Sequence, residues 1–188
     1  VQIALVRHGR PLVDAPRRIG ATGLSTWIEA YDRAGIDPRL PPPPRARTLA
    51  RVSDRILSSD LPRSRDSARL LAEGRPVESL RLFREAGLPA LPVSGLDLPP
   101  QLWALVARVG WLLGWSRSTE SAALARERAA AAAEHLCAVA ERHGSVLLLG
   151  HGIINTLIAR QLRAAGWRGP ALPLGTYWTS AVYRRRRP

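Results

Sequence analysis

Two apolar runs in this chain end in the same way, and that ending limits how it can fold. Gln2-Ile3-Ala4-Leu5-Val6 runs into Arg7-His8-Gly9, and Val146-Leu147-Leu148-Leu149 runs into Gly150-His151-Gly152. A short continuous apolar run is the pattern of a strand buried on both faces, as in a parallel sheet. A glycine beside the histidine lets the backbone turn where the strand stops. In parallel α/β sheets, ligands bind at the carboxyl ends of the strands. Two histidines delivered to such ends from opposite parts of the chain predict one shared pocket, and Arg7 beside the first predicts an anionic ligand.

The rest of the chain alternates strand and helix signals. A loop over residues 10–23 carries Pro11, Pro16, Gly20 and Gly23, after which Ser25 is placed to N-cap a helix from Trp27 to Ala34, closed by Gly35. The prolines at 41–44 form a stiff connector, residues 45–55 read as helix, and Ile56–Ser59 as a short strand. Asp60 is placed to cap a helix from Pro62 to Ala72 that ends at Gly74, and Ser79–Phe83 reads as a third strand. Within a segment rich in Pro, Gly and Trp, the spacing of Leu102, Leu105, Val106, Val109, Leu112 and Leu113 predicts a helix. A long helix is expected from Ser118 or Thr119 to Arg142, a helix from Ile153 to Ala165, and a last strand from Tyr177 to Tyr183. This order predicts an α/β fold, a three-layer α/β/α sandwich on a mostly parallel central sheet. One domain is expected over 1–188, with an insertion at about 86–117 over the C-terminal strand ends and a basic tail at 184–188.

Composition narrows the function classes. With 188 residues, 46% of them hydrophobic, the chain can bury one sizeable core, and its apolar runs are too short to span a bilayer. The first residues carry no basic region or cleavage site, so no secretory leader is expected there, and the chain has no methionine, so its numbering is expected to start after the initiator. The single cysteine, Cys137, cannot form an internal disulfide and fits a reducing, cytoplasmic setting. The net charge of +13 invites a nucleic-acid reading, but all 28 basic residues are Arg, spread along the chain as coding bias would spread them. No nucleic-acid and no membrane partner is therefore expected. A positive field would still attract a small phosphorylated substrate, and no motif speaks to oligomeric state.

The tripeptide Arg7-His8-Gly9 resembles the signature of the histidine phosphatase superfamily, the phosphoglycerate mutase-like family. The tripeptide alone is weak: Arg142-His143-Gly144 repeats it where a helix ends. Three further pieces follow in the family's order. Ser58-Ser59-Asp60-Leu61-Pro62-Arg63 with Ser67-Ala68 is similar to its second arginine motif, Glu85 falls where many members place a proton donor, and Gly150-His151-Gly152 matches its second histidine. The resemblance implies a phosphomonoester hydrolase in which His8 attacks phosphorus to give a phosphohistidine. Arg7 and Arg63, with the backbone at Gly152, would hold the phosphoryl oxygens. His151 would donate to one of them, and Glu85 would serve the leaving group and then water. No cluster has metal-ligand spacing, so neither metal nor other cofactor is expected.

The chain also departs from the family's pattern. Many members continue the signature with Glu-Thr and later an Asn; here Arg10-Pro11-Leu12 follows, and the only asparagine is Asn155. Arg10 is either a third positive group or a solvated one, Ser59 and Asn155 are possible pocket residues, and Glu120-Ser121 fits a pocket pair or a helix cap equally. Trp27, Trp103, Trp111 and Trp115 are either packing or a wall of the pocket. A mutase or phosphotransferase of the same superfamily, a phosphohistidine protein phosphatase and a non-catalytic phosphate-binding module stand as alternatives.

Overall fold

Alternation along two buried strands sets up two cores. In the computed structural model, which describes residues 1–14, 16–93, 95–117, 119–173 and 175–186, β1 (Gln2–Arg7) sends Ile3 and Leu5 to one face of the sheet and Ala4 and Val6 to the other. β6 (Ser145–Gly150) divides Val146 and Leu148 from Leu147 and Leu149 in the same way. The two strands pair in parallel, Gln2 opposite Ser145 and Arg7 opposite Gly150. β3 (Arg55–Ser59) lies beside β6 and carries β4 (Val77–Leu80), both parallel, while β7 (Ser180–Arg184) runs antiparallel along the free side of β1. The sheet order is β4-β3-β6-β1-β7.

Helices cover both faces, as the alternation of elements predicts. α5 (Ala122–His143) and α6 (Gly152–Ala164) pack on the Ile3 face, where Ala125, Ala129, Ala132 and Ala140 let α5 lie close. α2 (Pro44–Arg51) and α3 (Pro62–Ala72) supply Ala46, Ala50, Ala68 and Leu71 to the Val6 face. A third cluster joins α1 (Ala21–Arg33), α4 (Pro100–Leu112) and the two-stranded pair β2 (Ile19–Gly20) and β5 (Asp97–Leu98). Trp103 is its centre, donating from Nε1 to the Ile19 carbonyl at 2.7 Å. α4 forms where its apolar spacing predicts a helix, but it buries Trp103, Ala107 and Trp111 and turns the leucine and valine stripe outward.

Several local expectations give way to tertiary context. Ser25 sits inside α1, which starts four residues earlier because Gly20 is held extended against Asp97 and becomes the N-cap. Asp60 does not cap α3; its carboxylate takes both arms of Arg84 (2.5 and 2.8 Å), and Leu61 is the N-cap. The third strand stops at Leu80, and a 3₁₀ turn over Arg81–Phe83 drops Phe83 into the core. The last strand begins only at Ser180, since Trp178 takes a left-handed conformation (φ 63°) that no strand accommodates. α5 starts later than expected, with Ser121 as its N-cap and Thr119 two residues ahead of it; Ser118, the other expected start, lies outside the described residues. The basic tail is partly folded. Arg184 extends β7 and bonds Gln2, and Arg185 pairs with Glu141 above the Trp167 ring; Arg187 and Pro188 lie outside the described residues. Arg142-His143-Gly144 is a helix end, with Gly144 at φ 99°.

Gly150 is where the β6–α6 turn admits no side chain. A Cβ there would stand 2.2 Å from Oδ1 of Asn155, whose Nδ2 donates to the Val6 carbonyl at 3.3 Å. Asn155 thus clamps β6 to β1 and does not reach the cavity, which corrects its reading as a pocket residue. Gly150→Ala is expected to lose about 1–3 kcal/mol in chemical denaturation. Most of that loss should vanish in an Asn155→Ala background, where the double-mutant coupling reads the clash directly.

Candidate active site

The parallel register of β1 and β6 places residues 8 and 151 side by side just past the strand ends. His8 N–H donates to the Gly150 carbonyl at 3.0 Å, and the two imidazole centroids are 5.0 Å apart. Both rings are buried, His8 at 2% exposure and His151 at 0%. Nδ1 of His8 lies 2.7 Å from the Gly9 carbonyl oxygen, which can only accept. The ring proton is therefore on Nδ1, and Nε2 carries a free lone pair. Gly9 has its own reason to be glycine: a Cβ would meet the Trp178 ring at 2.6 Å.

α3 ties the neighbouring strand ends together through serines. Ser67 Oγ donates to the Arg63 carbonyl (2.6 Å) and accepts from Gly9 N–H (2.8 Å). Ser64 Oγ donates to the Leu149 carbonyl (2.6 Å) and accepts from Ser59 N–H (3.1 Å). Ser59 Oγ in turn accepts from Leu61 N–H and bonds Nε2 of His151 at 2.8 Å. Arg63, on the first turn of α3, is 2% exposed; its Nη1 reaches the Tyr31 carbonyl (3.1 Å) and Asp32 (2.9 Å) on α1. Arg7 reaches the Gly175 carbonyl at 2.6 Å. What remains is distinctive. Nε of Arg7, Nε of Arg63 and Nδ1 of His151 are buried and have no hydrogen-bond partner; the same holds for Nε1 of Trp178 against Gly9, Oδ1 of Asn155 against Gly150 and, elsewhere in the fold, His135 Nε2 and Trp167 Nε1.

Glu85 closes the arrangement from the end of the 3₁₀ turn. Its carboxylate accepts from Ile153 N–H (3.2 Å), Ile154 N–H (2.9 Å) and Ala86 N–H (3.0 Å), so it sits on the N-terminus of α6. Gly152 begins that helix, where a Cβ would lie 3.8 Å from both Glu85 Oε2 and the Arg7 guanidinium carbon. A cavity of about 1070 Å³ opens beside these groups, lined among others by Arg7, Arg63, Glu85, Arg10, Tyr31 and Tyr177. Arg10 is an exposed group at its rim. Of the four tryptophans considered, Trp27 alone lines the cavity; Trp103 and Trp111 are buried, and Trp115 bonds the Ala90 carbonyl. Glu120 lines it too, paired with Arg128, while Ser121 is a helix cap. Among the described residues, no three His, Cys, Asp or Glu side chains gather into a metal-binding group.

The family described as the histidine phosphatase superfamily (branch 1) matches residues 45–177. The chain belongs to that superfamily. The match takes in Arg63, Glu85 and His151 and begins after Arg7-His8-Gly9, whose place in the site rests on the β1–β6 pairing. Among solved structures, the chain is similar to a mycobacterial glucosyl-3-phosphoglycerate phosphatase: 23% identity and TM-score 0.55 over 86% of this chain and 78% of that one. It is also similar to a phosphoglycerate mutase from Bacillus anthracis, with 17% identity and TM-score 0.60 over 98% and 88%. A phosphoserine phosphatase from Entamoeba histolytica gives 17% identity and TM-score 0.53 over 87% and 80%. At these identities the likeness is one of fold. No curated protein matches the chain.

Two residues of this superfamily member's site have no signal in the sequence. Tyr31 of α1 and Tyr177 of the segment before β7 stand over His8, ring centroids 6.4 and 5.7 Å away. Each ring carries one guanidinium on its face, Arg63 on Tyr31 (4.7 Å) and Arg7 on Tyr177 (5.0 Å). Both tyrosines line the cavity. Nothing local marks the pair, since the two are brought together only by the tertiary fold.

Burial and positive charge keep both imidazoles neutral. His8 is lowered from 6.5 to about 3, by burial first and then by Arg63, with Arg7 adding and the Gly9 carbonyl opposing. His151 is held well below its ordinary value, again by burial first and then by His8 and the arginines. Between pH 6.5 and about 3, unfolded His8 takes up a proton that folded His8 does not, so stability falls as pH falls through that window and is complete above it. The slope is expected to approach ~1.4 kcal/mol per pH unit for one such group. His8→Asn should flatten the acid limb of stability measured by urea unfolding; an unchanged slope would contradict the burial of a neutral His8.

Proposed function

We propose that this chain is a phosphomonoesterase that works through a phosphohistidine on His8 and acts on small phosphorylated metabolites. The observation that carries this reading is the set of three buried nitrogens without partners, Nε of Arg7, Nε of Arg63 and Nδ1 of His151, beside the one imidazole of the pair whose Nε2 lone pair is free. Buried polar groups are almost always hydrogen-bonded, and three orphans at one place call for an acceptor with several oxygens. A phosphoryl group has them. The two arginines offset its charge; with Ser59 as the donor to Nε2 of His151, that ring's proton stands on Nδ1 for a phosphoryl oxygen.

Nε2 of neutral His8 attacks phosphorus in line, forming the N–P bond as the P–O bond to the leaving group breaks. Glu85 lies on the cavity side and supplies a proton to the leaving oxygen. Both of its oxygens accept N–H bonds from α6 or from Ala86, so the carboxyl must turn one oxygen outward to do this. It then takes a proton from the water that attacks phosphorus and releases His8. Arg10 adds positive charge at the rim. The cavity, at about 1070 Å³, is large enough for a metabolite rather than for phosphate alone. The similar solved phosphatases include one described for glucosyl-3-phosphoglycerate and one solved with phosphoserine, which supports a small organic phosphate as the substrate class.

Hydrolysis of 4-nitrophenyl phosphate in EDTA tests the nucleophile. His8→Ala is expected to leave below about 1% of wild-type kcat, and equal turnover by the two proteins would exclude the phosphohistidine route. The role of Glu85 is read from leaving groups. kcat/KM reports steps through phosphoryl transfer, so Glu85→Gln should roughly retain it for the nitrophenyl ester and lose about 10²–10⁴-fold for an alkyl phosphate. A uniform loss across both esters would make Glu85 a helix cap only.

A further inference from the structure

We infer that the outward stripe of α4 is a self-pairing surface, through which two copies of this chain associate about a two-fold axis. The helix presents three different faces. Trp103, Ala107 and Trp111 anchor it inward, and Gln101, Ala104 and Arg108 line the cavity. The third face carries Leu102, Leu105, Val106, Val109 and Leu112, continued by Leu113 at the C-cap, exposed at 47, 59, 44, 49, 59 and 83%.

The pattern of this stripe is that of a helix seam rather than of scattered surface leucines. Positions 102 and 109, 105 and 112, and 106 and 113 are each seven apart, the repeat with which two helices pack at a shallow angle. An antiparallel copy brings Leu102 against Leu113 of the second copy and Val106 against its Val109, so the stripe is complementary to itself, as a two-fold interface requires. The six residues expose roughly 550 Å², near the upper end of what the largest patch of a monomer shows. Full coverage of the stripe on both copies would bury about 1,100 Å², the order of the ~1,000 Å² expected of a specific interface.

The absence of outward charge on α4 favours a second copy over other occupants. Arg108 is the only charged residue of α4, and its guanidinium is turned inward onto the carbonyls of Ala86 and Gly87 and the Trp111 ring. An interfacial membrane helix carries a cationic polar face, which α4 lacks. An acidic partner would find nothing on the stripe to pair with. Since each copy carries +13, association through an apolar seam has to overcome repulsion, and added salt should strengthen it.

Sedimentation velocity of the full chain from about 1 to about 100 µM tests this. The wild type is expected to reach twice the chain mass, with tighter association in higher salt. Val109→Glu should weaken it at least about a hundredfold while the thermal melt shows a folded protein. If that variant does not fold, Leu113→Glu, at the most exposed position, takes its place. A wild type at single-chain mass throughout, a dimer that both substitutions leave intact, or association that salt abolishes would overturn the proposal. Flotation of the wild type with neutral lipid vesicles in place of dimer formation would overturn it in favour of a membrane surface.

Discussion

The parallel pairing of β1 with β6 is the constraint on which the rest depends. Its register puts Arg7 opposite Gly150 and so sets His8 and His151 next to each other beyond the strand ends. The same edge is then fastened from three directions: His8 N–H to the Gly150 carbonyl, Asn155 to the Val6 carbonyl, and Ser64 to the Leu149 carbonyl. A slip of one residue would exchange the two faces of the strand, sending Ala4 and Val6 to the α5–α6 side and carrying His8 away from its partner. The two cores and the site are therefore specified together. Packing that selects the register also selects the geometry around the histidines.

Electrostatics gives that geometry its chemical character. A guanidinium as buried as Arg63 is costly unless its protons are used, and α1 supplies a carbonyl and a carboxylate for one end of it. The Tyr31 face takes up part of the remaining charge. The Nε atom is left over, as it is for Arg7. The same positive field, with burial, keeps His8 neutral, and the Gly9 carbonyl fixes which nitrogen carries the proton. Positive charge near a neutral imidazole is a consistent pair of requirements for a nucleophile that must meet an anion. The Tyr31 and Tyr177 rings stand beside His8 where the cavity meets it.

Much of the site was legible in the chain because its signals are local. A buried strand, a histidine and a glycine in succession mark a strand end, which brings Arg7, His8 and His151 together; Arg63 stands on a helix start after a strand, and its place in the site came from the resemblance to the family's second arginine motif. Ser59 was legible as part of the same motif, although its partner, His151 Nε2, is 92 positions away. The misreadings share a cause, a long-range partner that local pattern does not contain. Asn155 was drawn from the cavity by the Val6 carbonyl, Asp60 from its cap by Arg84, and the start of α1 upstream by the pairing of Gly20 with Asp97. For α4, spacing reports a helix with an apolar stripe, but the direction of that stripe is decided by Trp103 and Trp111, which outcompete leucine and valine for the interior.

The proposed chemistry requires the three orphaned nitrogens and the free Nε2 of His8 to form one oxyanion site. A crystal structure of the protein with tungstate or vanadate tests it most directly. The anion is expected within hydrogen-bond distance of Arg7 Nε, Arg63 Nε and His151 Nδ1, facing His8 Nε2. An anion bound only at the rim, by Arg10 or Arg81, with the three buried donors still unpaired, would contradict it.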